Sequence, residues 1–347
     1  PDAWAATDPD PERATRRARL RDAIDVALYT PGKDAGRPLA IPVAPPDLGQ
    51  LPTADREQFA QYAAAALGVM MGYKSRTPDP KLVILQKAIE TLAAAPGAAV
   101  TVKSLQKVVG DQDDALTAHF DGQYEAKLFT TLAKDLLTLS IQHRRLLEGA
   151  DALDVDALLG RGPAARPGRP QLSVVSTQFL GDTATTDFWV SQLLLAVERW
   201  MQKHPAPDGR LQAVFLFDEA DRYLPATGKP ATKGPMESLL KRARSAGVGV
   251  FLATQSPGDL DYKCRDQVLT WLIGKVKESV AVGKLRPMLD ARPGAADRLA
   301  DQKTGEFYLV READVQPVRT NRSLILPEQL PEDRILAVAR RGRPTGG

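Results

Sequence analysis

The pattern of apolar and polar positions changes character twice along the chain. Residues 10–23 carry charge at most positions and predict a surface helix. Asp25 to Tyr29 predicts a short strand, broken by Pro31-Gly32. Five prolines from Pro38 to Pro52 then exclude regular helix or central strand and mark a boundary. From Thr53 to about Leu147 the period becomes helical. It predicts a helix over Asp55–Met71 capped by Thr53, one over Lys81–Ala95 started by Pro78-Asp79-Pro80, a short one from Thr101 to Val109 and a long one from Gln123 to Leu147. After an Arg/Gly/Pro loop at 160–170, strands and helices alternate. Strands are expected at Leu172–Thr177, Ala213–Phe217, Val248–Thr254 and Thr270–Val276. Between them lie an amphipathic helix over Thr185–Lys203 and a helix over Gly234–Ala246. A helical stretch to Ala300 and a closing hairpin, Glu306–Arg311 with Val315–Thr320, complete the order.

Helices alternating with apolar strands imply an α/β fold, a mostly parallel sheet covered by helices on both faces. The segment before it reads as an all-helical, bundle-like insertion. With 43% apolar and 26% charged residues in 347, the chain can bury a large core. No stretch approaches the ~20 apolar residues that span a bilayer, and no signal-peptide pattern opens the chain. The single cysteine, Cys264, excludes an internal disulfide and every multi-cysteine metal site, which favours a cytoplasmic location. His119, His143 and His204 are too far apart in sequence to suggest zinc. The net charge of +3 is mild, so local clusters matter more. Arg161, Arg166 and Arg169 share a loop, Lys241, Arg242 and Arg244 a helix, and Arg334, Arg340, Arg341 and Arg343 the C-terminus. Each reads as a solvated face or a phosphate contact.

The chemistry concentrates in residues 213–256. Two apolar strands end in polar residues, Asp218-Glu219 after the first and Gln255 after the second. In a parallel sheet such ends converge on one crevice. Asp218 suits Mg2+, held mostly through water, because a small hard cation takes oxygen ligands and keeps its hydration. Glu219 suits the orientation or deprotonation of an attacking water, and the Gln255 amide suits a phosphate. The competing reading makes Asp218 the cap of a helix starting near Ala220. It accounts for neither Glu219 nor Gln255.

The other half of such a site is a Gly-rich phosphate loop, G-x-x-x-x-G-K-[ST]. None is present. Gly-Lys pairs occur at 32–33, 228–229, 274–275 and 283–284, but Asp34, Pro230, Val276 and Leu285 follow in place of Ser or Thr. Because the sequence opens on Pro1, the loop is expected upstream of residue 1.

Asp218-Glu219-Ala220-Asp221 matches the D-E-A-D motif of DEAD-box RNA helicases, but Ala253-Thr254-Gln255 replaces their Ser-Ala-Thr and no H-R-x-G-R-x-x-R follows. The chain resembles instead the HerA/FtsK group of P-loop ATPases, in particular bacterial HerA-like ATP-binding proteins. Y-T-P-G-K-D-A-G-R-P-L at 29–39, F-D-E-A-D-R-Y-L-P at 217–225, L-L-K-R-A-R-S-A-G-V-G at 239–249 and L-A-T-Q-S-P-G-D-L-D-Y-K at 252–263 carry the likeness. W-L-I-G-K-V at 271–276 and G-E-F-Y-L-V-R-E at 305–312 extend it. The resemblance implies a RecA-like core with an N-terminal part at 1–52, the helical insertion at 53–160, the segment bearing the strand motifs at 161–330 and a C-terminal helix and tail at 331–347. It implies a motor, often a hexameric ring, that couples hydrolysis of ATP with Mg2+ to movement on double-stranded DNA and works with an effector such as a nuclease. Asp218 becomes the Walker B metal residue, Glu219 the catalytic carboxylate and Gln255 the sensor of the terminal phosphate. Arg242 and Arg244, beside Lys241, fall where this group places residues facing a neighbouring subunit's nucleotide, and their alternative is a solvated basic face. Two other functions stay open. One is a conjugation or secretion ATPase of the same superfamily, and the other a ring-assembly module that binds no nucleotide.

Overall fold

The computed structural model describes residues 10–73, 79–95, 97–148, 152–162, 166, 168–325 and 328–341. Arg343 and Pro78 lie outside them. The described residues divide into two compact units, one drawn from 23–205, 229–239 and 329–347, the other from 1–22, 206–228 and 240–328.

In the first unit, β1 (Asp25–Tyr29) pairs in parallel with Gln171–Val175, Asp25 opposite Gln171 and Tyr29 opposite Val175. Between these strands in sequence run α1 (Thr53–Met70), α2 (Pro80–Ala94), α3 (Val102–Gly110) and α4 (Ala126–Gln142), with one-turn helices at Asp114–Thr117, Arg144–Leu147 and Val155–Leu158. Each of α2 and α3 starts where local chemistry satisfies its first N–H groups. Asp79 accepts from Lys81 N at 2.9 Å with Pro80 in the first turn. Thr101 and Ser104 form a reciprocal capping box. Thr53, expected as a cap, lies inside α1, and Pro52 holds the cap position without a side-chain bond. The expected long helix breaks at His143, whose backbone leaves helical geometry before Arg144–Leu147 resumes. Helices α1 to α4 pack in sequence-adjacent pairs around Phe59, Leu67, Ile84, Ile89, Leu105 and Leu132, all fully buried.

The strand Gln171–Val175, here β2, leads to α5 (Thr183–Lys203), capped by Asp182, which accepts from Thr185 N at 2.7 Å. An amphipathic helix was the expectation. Instead α5 is buried around most of its circumference, with Phe188, Trp189, Leu194, Leu195 and Val197 inside together with Thr186, Asp187, Ser191, Gln192 and Glu198. The polar side chains mimic a solvent face in sequence, yet some bond internally, as Ser238 does to Glu198 at 2.8 Å.

The second unit holds β3 (Ala213–Phe217) and β4 (Val248–Leu252), parallel and in register from Ala213 opposite Val248 to Phe217 opposite Leu252. Helix α6 (Lys233–Arg242) precedes β4. Its expected last turn tightens into a 3-10 turn, Ala243–Ala246, ended by Gly247 at φ 61°. A Cβ at Gly247 would meet Arg210 O at 2.1 Å, so only glycine fits this crossing. Thr270–Ile273, β5, pairs antiparallel with β6 (Glu306–Arg311), and β6 with β7 (Asp314–Arg319). The expected hairpin is therefore joined by a strand that runs against β6. Helix α7 (Ser279–Leu289) packs over this meander through Leu285 and Leu289, against Ile273, Tyr308 and Val310. The chain is thus α/β with short parallel pairs, and no helix among the described residues is long and apolar enough to cross a membrane.

Candidate functional site

Strands β3 and β4 leave their sheet side by side. Past the last strand pair, Ala253 N donates to Phe217 O at 2.9 Å and Ala220 N donates to Ala253 O at 2.8 Å. Asp218, Glu219 and Gln255 therefore stand together at the carboxyl ends of two adjacent parallel strands, all three exposed. Asp218 Oδ1 accepts from Glu219 N at 3.0 Å. The chain then enters a three-residue 3-10 turn, Ala220–Arg222, with Glu219 at its cap position making no side-chain cap bond. Asp218 thus caps no α-helix, and its carboxylate is directed by the strand end.

Glu219 sits at φ 51°, ψ 47°. This left-handed conformation is uncommon for a residue with a Cβ, and Gln112, Asp121 and Glu312 share its positive φ. Its Oε2 lies 3.2 Å from Arg222 Nη1. Asp221, in the same turn, accepts a hydrogen bond from the Thr254 hydroxyl.

The basic residues fall elsewhere. Lys241 and Arg242 end α6, and Arg244 lies in the turn that feeds β4 at its amino end. At about 3.3 Å per residue, β4 holds Arg244 on the order of 15 Å from the carboxyl end where Gln255 stands. The structure thus brings Asp218, Glu219 and Gln255 together and leaves Arg242 and Arg244 apart from them. The loop arginines have partners within the chain. Arg161 lies over the Trp200 ring at 4.9 Å, while Arg166 and Arg169 pair with Asp25 at 3.2 and 3.1 Å. Two of the Gly-Lys pairs do structural service as well, since Lys33 pairs with Glu332 at 3.1 Å and Lys284 donates to Gly258 O.

Three side chains near the site carboxylates carried no expectation of their own, namely Asp221, Arg222 and Thr254. Arg222 had a signal, because residues three apart on a turn share a face. Thr254 had none in the sequence, as its partner is 33 positions away.

The profile of the helicase HerA-like C-terminal family matches residues 100–281, more than half of the chain and all of Asp218, Glu219, Arg242, Arg244 and Gln255. The chain belongs to this family. No curated protein sequence matches this HerA-like chain significantly. Among solved structures, it is similar to VirB4 of Thermoanaerobacter pseudethanolicus, at 15% identity and a TM-score of 0.56, over 90% of this chain and 81% of that one. It is also similar to the plasmid coupling protein TrwB in complex with ADP and Mg2+, at 12% identity and a TM-score of 0.53, over 94% and 84%. These likenesses show a shared fold, and the family itself stands on the match over residues 100–281.

The donors at the strand ends fit a hydrated divalent cation. Asp218 offers an exposed carboxylate, and no cluster of three or more His, Cys, Asp or Glu among the described residues forms a closed metal cage. One carboxylate acting through water, with phosphate oxygens completing the shell, is the arrangement Mg2+ favours.

Proposed function

We propose that Asp218, Glu219 and Gln255 form the metal and water side of an ATP-hydrolysis site in a motor that moves double-stranded DNA. The observation that carries this reading is the meeting of all three residues at the carboxyl ends of β3 and β4, where a parallel sheet presents its ligand crevice. Asp218 would hold Mg2+ through water, and the bound Mg-ATP would supply the phosphoryl group. Glu219 orients the attacking water and accepts its proton. Gln255 donates its amide N–H to the terminal phosphate and reports whether it is still there.

A phosphate loop of the G-x-x-x-x-G-K-[ST] type occurs nowhere in these residues, so the proposed site is completed by a loop supplied from outside them. Arg242 and Arg244 precede the amino end of β4, whereas Glu219 stands past the carboxyl end of β3. Their place in the reading is the site of a neighbouring copy in a ring, six subunits in the proposed form. In this reading residues 53–160 form an insertion in a core that continues over 161–330, and an effector such as a nuclease would act with the motor in the cytoplasm.

The test is made in a protein that contains this chain together with its phosphate loop. Glu219→Gln should keep nucleotide binding and lower turnover by roughly two or more orders of magnitude, the range for loss of a general base. Asp218→Asn should shift the Mg2+ dependence to higher concentration. Normal turnover in Glu219→Gln would remove the assignment.

A further inference from the structure

Beyond Ala253 the next link between the two site-bearing segments is made by a side chain. Thr254 is half-buried. Its hydroxyl donates to Asp221 Oδ1, and the same oxygen accepts from Ser256 N at 2.9 Å. One hydroxyl thereby uses both its donor and an acceptor position. It ties the turn that aims Glu219 to the two residues flanking Gln255.

The loop after Gln255 is held along its whole length. Asp259 N donates to Ser256 O at 2.9 Å and Ala226 N to Asp259 O at 2.7 Å. Tyr262 Oη donates to Pro257 O at 2.8 Å while its ring stacks on Trp271, and Lys284 donates to Gly258 O. Upstream, Ala253 is fixed by its two backbone bonds to β3 and the following turn. Between these anchors the backbone of Gln255 is bracketed by Thr254 and Ser256, both tied to Asp221 through the Thr254 hydroxyl.

We propose that Thr254 is a positioning residue, which through Asp221 holds the backbone that carries the Gln255 amide in fixed relation to the turn that carries the Glu219 carboxylate. The inference rests on the reading of Glu219 and Gln255 as the hydrolytic pair. A reacting group misplaced by about 1 Å can lose on the order of a hundredfold in rate. Loss of the hydroxyl should therefore act on turnover and leave the binding of substrate almost unchanged.

The experiment compares Thr254→Val, Thr254→Ser, Asp221→Ala and the Thr254→Val/Asp221→Ala pair in the protein that carries the phosphate loop, with Glu219→Gln alongside. Valine keeps the branched shape of threonine and lacks the hydroxyl. Thr254→Val is expected to lower kcat by roughly 10- to 100-fold with KM for ATP within about twofold. Thr254→Ser should restore at least about half of kcat, and the double variant should be no slower than the slower single one, since both break one link. In the 347-residue chain itself, amide exchange at Ser256 should accelerate in Thr254→Val and stay protected in Thr254→Ser. If Glu219→Gln is inactive but Thr254→Val keeps full kcat, or Thr254→Ser is as slow as Thr254→Val, the positioning role is wrong and the site reading stands. If Glu219→Gln turns over normally, the site reading itself fails, and the inference with it.

Discussion

Glu219 Oε2 and Arg222 Nη1 are 3.2 Å apart, an i,i+3 ion pair between side chains that are 57% and 44% exposed. Glu219 is the proposed acceptor of the water's proton, and in this geometry its carboxylate faces a cation on its own turn. The pair has to open before Glu219 can turn to a water. An exposed ion pair is worth at most about 1 kcal/mol, which caps the rate penalty at roughly fivefold. Arg222→Ala should therefore raise kcat by about two- to fivefold, and the gain should shrink as salt rises and screens the wild-type pair. Steady-state rates at two ionic strengths measure this. A fall of more than tenfold would mean that Arg222 acts on the substrate and not on Glu219.

These 347 residues alone should bind Mg-ATP weakly, because the metal and water side supplies little affinity by comparison with backbone N–H groups cradling the phosphates. Calorimetry should find no binding in the micromolar range. Micromolar affinity would reveal a phosphate site outside the residues named here.

The strand ends were legible in the sequence because their signal is local. An apolar run closed by Asp218-Glu219 and another closed by Gln255 place themselves once the strands are parallel, and β3 spans the expected residues. Long-range choices were not legible. Helix α5 carries enough polar residues to read as amphipathic, and only the tertiary structure shows Glu198 and Ser238 bonded to each other inside. Val214, Leu216 and Phe251 are apolar as in a strand buried on both faces, yet they are exposed in their unit. Arg166 and Arg169 read as a solvated face or a phosphate contact, and only the structure shows their pairing with Asp25, more than a hundred positions earlier. The separation of Arg244 from Gln255 was readable in principle, since the two flank one strand at opposite ends.

Asp47 offers a test of what holds the helical unit. Its Oδ2 takes Arg199 Nη2 at 2.5 Å and Lys203 Nζ at 2.8 Å, which fastens the proline-rich segment to α5. Burial alone would raise its pKa, but the hydrogen bonds and charges of Arg199 and Lys203 prevail and lower it to about 2. A carboxylate depressed in the folded state stabilises that state above its ordinary range and loses the effect as pH falls through the folded value. Asp47→Ala should cost roughly 2 kcal/mol at neutral pH, the scale of hydrogen bonds to charged groups. Urea unfolding should show the gap between wild type and variant closing from about pH 4 to about pH 2. A gap that stays constant over this window would assign the loss to packing.

Arg244 is at the amino end of β4 and Glu219 at the carboxyl end of β3, and the strands run parallel. An arginine so placed cannot reach the phosphoryl group that its own Glu219 serves. If it acts in hydrolysis, it acts on a neighbour. Arg244→Ala should then leave nucleotide binding and assembly near normal while lowering kcat by roughly a thousandfold, since its charge is needed as the phosphoryl group departs. Mixing that variant with Glu219→Gln discriminates between roles. Some interfaces in mixed rings join an intact Glu219 to an intact Arg244, so a fraction of the activity should return, although each variant alone is inactive. A residue acting only within its own subunit gives no recovery, because no single chain then holds both groups. Absence of recovery in verified mixed oligomers would return Arg244 to the solvated face of its turn.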